Sequence, residues 1–235
     1  MGKLIKLQLR NVFHNKLFYV CTGIMILLSP VVTFLFNNSL NINTTLVLPE
    51  IVTILSVDVV GIVFIALFTC YDYNEGTAKN IIGRGYTRTQ FFISKFLVAL
   101  IGMFAMILIV SLVVFILFIN NGLGYSTKVM YSLVNGLFEV IAYTAFFVTI
   151  SILLEKNGSA IIAGLFIPNI IPLVLSVIDS KLKLNIGNYW LGSQSTIFSM
   201  KPTLGNLGWS ILNYVIYTFI FLILGVLLLK KKEIK

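Results

Sequence analysis

YDYNEGTAKNIIGRGYTRTQFFISKF, Tyr71 to Phe96, decides how this chain is read, because it is a polar interruption between two runs that carry almost no charge. Its punctuation predicts two helices and a hinge. Asp72 and Glu75 bring negative charge near the start of a short helix, where the helix dipole favours it. GTAKNII supplies about two turns. Gly83 and Gly85 end that helix, since glycine accepts the left-handed geometry of a C-cap. Thr87, with Gln90 three residues later, forms a T-x-x-Q capping box that starts the next helix. Arg84, Arg88 and Lys95 are expected at lipid headgroups, holding the hinge to a membrane surface. The result would be a rigid knob, and a knob needs something to push against.

Outward from that stretch the chain is oily. It is 58% hydrophobic and 11% charged with a mean hydropathy of +1.00, whereas soluble domains carry roughly 25% charged residues. Six apolar runs approach the ~20 residues of a helical membrane span: Leu17–Phe36, Ile51–Tyr71, Phe96–Ile119, Ser132–Leu154, Ser159–Ile178 and Trp209–Leu229. Strict two-residue alternation is absent, which argues against a β-barrel. The expectation is a single all-α membrane domain over residues 1–235 with six transmembrane helices. The first run follows Lys3, Lys6, Arg10 and Lys16 but is too long for a signal-peptide core and lacks a small-residue cleavage site, so it reads as a retained span. Lys6 stands where a myristoylation pattern needs Ser or Thr.

Six spans put both termini and the quoted loop on one side. Of the 17 Lys and Arg residues, only Lys128, Lys181, Lys183 and Lys201 then fall on the other side, and the positive-inside rule makes the richer side cytoplasmic. The net charge of +9 is accounted for by orientation and calls for no nucleic acid. Before the first span, Lys3, Lys6, Arg10 and His14 share one helical face and Ile5, Leu9, Val12 and Phe13 a neighbouring one. That pattern predicts an interfacial amphipathic helix, its basic side toward anionic lipid and its apolar side dipping in. His14 reads as a surface group. Cys21 and Cys70 have no metal-ligand spacing and read as packing residues.

The loop after the fifth run, Asp179 to Gly208, is long and apolar, and Tyr189, Trp190 and Trp209 suit a membrane interface. Short helices resting on or dipping into the outer leaflet are expected there. Pro168 and Pro172 should kink or break the fifth span. Asp58 in the second run and Glu139 in the fourth are ionisable groups deep in apolar sequence, with Asn135 one turn before Glu139 on the same face. Such groups are functional candidates by default, the competing reading being a protonated or hydrogen-bonded structural role. No Lys or Arg lies inside a run to pair with them.

The arrangement YDYNEGTAKNIIGRGYTRTQFFISK resembles the first cytoplasmic loop of type-2 ATP-binding-cassette (ABC) exporter permeases. In that family a Glu followed by Gly-Thr, a short coupling helix, a Gly or Pro break, then Arg and a downstream Lys connects spans two and three. Glu75, Gly76, Thr77, Asn80, Gly83, Arg88 and Lys95 occupy the matching places, and Asp72, Lys79 and Arg84 complete the candidate ATPase-coupling loop. The six-span plan, the basic N-terminal helix and the long outer loop before span six are similar too, so the resemblance covers essentially the whole chain. It implies a coupling helix that docks on a separate ABC ATPase subunit, and a second permease chain, identical or homologous. It also implies a bacterial plasma-membrane location with both termini cytoplasmic. The implied substrate is an amphipathic peptide of the bacteriocin, lantibiotic or modulin kind, or a lipid-like molecule.

ATP and Mg would belong to the partner, since no G-x-x-x-x-G-K-[ST] occurs here; this chain is expected to hold no cofactor and to be no enzyme by itself. The alternative is an ion-coupled carrier or channel using Asp58 and Glu139 without ATP. An intramembrane protease is disfavoured, because the one histidine lies outside the runs and Asp58 alone makes no aspartate pair.

Overall fold

A lipid-embedded backbone must satisfy its hydrogen bonds within its own segment, which leaves helices as the natural product of such apolar runs. The computed structural model describes residues 1–40, 59–118, 127–182, 185–200 and 202–231, and every regular element among them is helical, with no strand. The order is α1 (Gly2–His14), α2 (Lys16–Leu40), α3 (Ile62–Asn74), α4 (Thr77–Gly83), α5 (Arg88–Phe118), α6 (Thr127–Leu154), α7 (Asn157–Leu182), a 3-10 turn (Ile186–Tyr189), α8 (Leu191–Met200) and α9 (Leu204–Lys231). Four helical stretches are long and apolar enough to cross a membrane: Arg88–Val113, Met130–Leu154, Asn157–Leu182 and Leu204–Lys231. The pair Gly2–His14 and Lys16–Ser29, bent by 56°, would make a fifth if counted as one span. The described part of the second apolar run is the helix Val59–Asn74; Asp58 lies outside the described residues.

Helix α6 is the most enclosed of the long helices, and α7 is almost bare. Around α6 the core is filled by Ile62, Phe64 and Ile65 of α3, Phe91, Phe92, Met103 and Met106 of α5, Phe147 of α6 and Tyr214 of α9. Small residues allow the closest approaches, as membrane helix packing favours. A Cβ on Gly164 would fall 1.4 Å from Ile62 Cδ1, and one on Gly225 would fall 2.2 Å from Phe92 Cζ. These glycines set the α3–α7 and α5–α9 crossings.

Helix α1 forms as its amphipathic spacing predicts, and Lys3, Lys6, Arg10 and His14 are exposed. Its other face corrects the expectation of dipping into lipid. The buried stripe is Leu4, Gln8 and Val12, flanked by Ile5, Leu9 and Phe13 packed against the protein core. Helix α5 takes that face, with Val12 beside Gly102. Cys21 and Cys70 are both buried and form no disulfide, as packing residues should.

The prolines do not break α7, which runs unbroken from Asn157 to Leu182. Pro172 has no N–H to give to the Pro168 carbonyl four residues back. The Trp190 indole N–H supplies the missing donor at 3.3 Å. Trp190 arrives there because the chain turns back after α7. The Asp179 carboxylate accepts the backbone N–H groups of Ile186 (2.8 Å) and Gly187 (2.7 Å). The segment 186–200 then packs inward, with Trp190 against Tyr217 of α9 and Gly192 against Tyr143 of α6. Pro168 is 14 residues from the Leu182 end of α7, about 20 Å along its axis. This segment therefore contains the short helices expected and reaches well down the bundle.

Candidate functional site

The polar loop folds as two turns of helix held between two left-handed glycines. Helix α3 ends with Glu75 N–H on Tyr71 O (3.0 Å) and Gly76 N–H on Tyr73 O (3.2 Å). Gly76 sits at φ +65, a conformation that is costly for any residue with a Cβ. Helix α4 follows at once and closes with Arg84 N–H on Asn80 O and Gly85 N–H on Ile82 O. Gly85 takes φ +91, the role expected of it. Gly83 does not, because it is still the last helical residue. The capping box forms in both directions: Thr87 N–H donates to Gln90 Oε1 (3.1 Å), and Gln90 N–H to Thr87 Oγ1 (3.2 Å).

Two expectations for the loop are corrected. Asp72 is not placed to meet the dipole of α4; it belongs to the last turn of α3 and is buried. Its carboxylate accepts the Thr77 hydroxyl at 2.8 Å and pairs with Lys95 at 2.7 Å. Lys95 does not reach the headgroups. The Lys95 and Asp72 side chains are 2% and 7% exposed, so the pair is internal. The Lys95 ammonium also donates to Phe68 O (3.1 Å) and stands 4.0 Å from the Phe68 ring centre. Every face of this buried cation therefore meets a carboxylate, a carbonyl or a π-system. Lys95 stands one residue before the apolar run that begins at Phe96, and it falls within the span-length stretch Arg88–Val113.

Arg88 also departs from the headgroup expectation. Its Nη1 donates to Lys230 O (2.8 Å) and Leu229 O (3.2 Å), at the end of α9. Two further bonds leave the loop's N-terminal flank: Asn74 Nδ2 to Asn157 Oδ1 (3.0 Å) and the Cys70 thiol to Ser151 O (3.4 Å). The loop is thus tied to α5, α6, α7 and α9. What it presents outward is α4, in which Ala78 is the buried residue while Lys79, Asn80 and Gly83 are exposed. Glu75 and Arg84, at its two ends, are exposed as well.

The second group of candidate residues lies in α6. Asn135 and Glu139 are both buried and share a face with buried Ser132. Helix α9 runs alongside, its register fixed by Thr149 Oγ1 donating to Phe221 O (3.0 Å) and by the Phe146–Phe221 ring contact. That register brings buried Ser210, Asn213 and Tyr214 to the same level. The result is a polar seam between α6 and α9, toward the end opposite the coupling loop. Asn135 Oδ1 has no hydrogen-bond partner among the described residues. Among those residues no group of three or more His, Cys, Asp or Glu is placed to hold a metal.

Two contacts of the loop go beyond what the sequence led us to expect. Lys95 falls in the stripe Phe91, Phe92, Lys95, Val98, Ala99, spaced three and four apart, which is buried throughout. That spacing was a readable signal that Lys95 faces inward. The Arg88 contact with α9 carried no comparable signal, since its partners are backbone carbonyls about 140 residues away.

A family model described as "Protein of unknown function (DUF2705)" matches residues 24–235. The match takes in the loop, the polar seam and every helix except α1 and the first turns of α2. No curated protein matches the chain.

Proposed function

We propose that this chain, which belongs to the DUF2705 family, is the membrane-spanning subunit of an ATP-driven exporter on the type-2 ABC plan. The observation that carries the reading is the coupling loop. A two-turn helix exposes Lys79 and Asn80, with Glu75 and Arg84 exposed at its ends, while its root is locked into the bundle by the Asp72–Lys95 pair. A solvated linker between two spans needs neither a buried ion pair nor two left-handed glycines. A lever that must transmit force without bending needs both.

On this reading six spans cross the membrane, one for each of the six apolar runs of the sequence. The loop end is cytoplasmic. A separate ABC ATPase holds Mg and ATP and grips α4 through Glu75, Lys79, Asn80 and Arg84. Its closure moves α3 and α5 together as a rigid body. Two permease chains pair, and an amphipathic peptide or lipid-like molecule leaves between them. Asn135 and Glu139, buried polar groups in an apolar helix, are the candidates for the translocation pathway, and Asp58 is a further candidate from the sequence. The same buried seam also suits the rival reading, an ion-coupled carrier or channel in which ATP plays no part.

The test is affinity purification of the chain from its native membranes, with any co-purifying ATPase subunit identified by mass spectrometry. The wild-type chain should bring such a subunit down in a defined complex with ATP-dependent efflux. Glu75→Arg with Gly76→Trp should remove the association and leave the chain inserted in the membrane. Normal association and transport by that double variant would overturn the docking assignment. Ion-driven transport without any ATPase would favour the carrier.

A further inference from the structure

In the last described turn of α9 the Leu229 and Lys230 carbonyls accept the same Arg88 guanidinium nitrogen, at 3.2 and 2.8 Å. Arg88 follows directly on the capping-box residue Thr87 and stands three residues after the left-handed Gly85. The backbone that carries it therefore starts where the coupling helix stops. One turn further along α5, Phe92 lies on Gly225, one turn back along α9. A Cβ there would stand 2.2 Å from Phe92 Cζ and 2.3 Å from Cε2. The two helices thus engage at two adjacent points, one charged and one steric.

Helix α9 then runs without a break from Lys231 to Leu204, toward the opposite end of the bundle. There it carries the inward-folded segment 186–200. Tyr217 meets Trp190 edge to face at 5.8 Å, and Trp209 meets Tyr189 at 6.0 Å. The segment also rests on α6 and α7. The loop grips α7 through a neutral, exposed amide pair, Asn74 and Asn157, whereas its grip on α9 is charge-assisted and two-pronged, the stronger kind.

We infer that Arg88 is a positioning residue that passes displacement of the coupling loop to α9, and that α9 in turn sets the position of segment 186–200 at the far end. The exporter reading supplies what moves the loop, and the inference rests on it to that extent. The link between the two ends is internal to this chain and is measured without any partner. A loop movement then reaches the far-end segment through one helix acting as a rod, so the exit side responds to the docking side.

The experiment follows far-end exposure in the purified chain in lipid nanodiscs. Ser195→Cys is labelled with a membrane-impermeant maleimide; Cys21 and Cys70 are buried and give the background rate. Losing the hydrogen bonds of a charged donor should raise the labelling rate at position 195 by about fivefold to tenfold in Arg88→Gln, because labelling follows the open population. Arg88→Lys, which keeps a cation, should restore most of the wild-type rate. Gly225→Leu, which forces α9 off Phe92 while leaving Arg88 in place, should raise the rate as well, and it carries the test should Arg88→Gln fail to fold. Asn74→Ala removes the α7 tie and should leave the rate near that of wild type. Unchanged labelling in both Arg88→Gln and Gly225→Leu would overturn the inference. So would an increase in Asn74→Ala equal to that in Arg88→Gln. Failure of the exporter reading, seen as no ATPase association, leaves this labelling result untouched, so the two failures are distinguishable.

Discussion

The two ends of the bundle are held by different chemistry. At the loop end the contacts are directional: an ion pair at 2.7 Å, a two-way capping box, two glycines at positive φ, and an arginine on a helix terminus. At the far end, segment 186–200 leans on edge-to-face rings near 6 Å apart, one indole N–H bond and one carboxylate on two backbone N–H groups. Charge-assisted bonds lose strength with small changes in distance and angle, so they fix geometry. Aromatic edges tolerate sliding at little cost. The difference separates an end with fixed geometry from one whose contacts can slide, which on the proposed exporter reading are the lever and the covering.

Lys95→Met is expected to do the most damage. It strands the Asp72 carboxylate in the interior, a change that costs about 3–5 kcal/mol when one partner of a buried pair is removed. Thermal unfolding of the purified protein should show the loss. Adding Asp72→Asn should recover much of it, because no unpaired charge remains. If the double variant is no better than Lys95→Met, the pair is not what stiffens the loop end, and the contrast between the ends weakens.

A smaller effect sharpens the picture within the loop. Gly76→Ala should cost roughly 1–2 kcal/mol, because φ +65 is strained for alanine. Gly83→Ala should be neutral or slightly stabilising, because that glycine is helical, with open space where its Cβ would go. Melting curves of the two variants make the comparison. Equal losses would mean that the hinge is not at Gly76.

The far end should give the smallest change. Trp190→Phe keeps the ring and loses the donor to Pro168 O, worth about 1 kcal/mol for a neutral hydrogen bond. Its readout is local: faster hydrogen exchange in α7 around Pro168, with the loop end unaffected. A global loss as large as that of Lys95→Met would mean that the two ends are equally rigid.

The sequence disclosed the parts of this molecule that depend on near neighbours. The capping box at Thr87 and Gln90, the two-turn helix before it, the left-handed Gly85 and the amphipathic α1 all rest on spacings of a few residues, and they stand as read. Contacts made across the bundle were not legible. Lys95 and Asp72 were assigned by their charge to the headgroups and to a helix start, yet their burial follows from the packing of α3 on α5. The Leu4, Gln8 and Val12 stripe of α1 turned to α5 and not to lipid, since a protein groove was at hand. Pro168 and Pro172 forecast a break because the donor that mends it, Trp190, belongs to a segment more than 20 residues away. Of the polar candidates in the apolar runs, Asn135 and Glu139 do share a buried face. Their companions Ser210, Asn213 and Tyr214 come from α9, and no local pattern connects them.

The most direct measurement is site-specific photo-cross-linking in intact cells. A photoreactive side chain at Asn80, exposed on α4, is compared with one at Ser195 in the far-end segment, and the products are identified by mass spectrometry. The account predicts that the Asn80 probe captures a nucleotide-binding subunit carrying a phosphate-binding loop and that the Ser195 probe does not. An inserted, stable protein whose Asn80 probe captures no such subunit, or whose Ser195 probe captures it equally well, would contradict the claim that the polar loop is where an ATPase grips this chain.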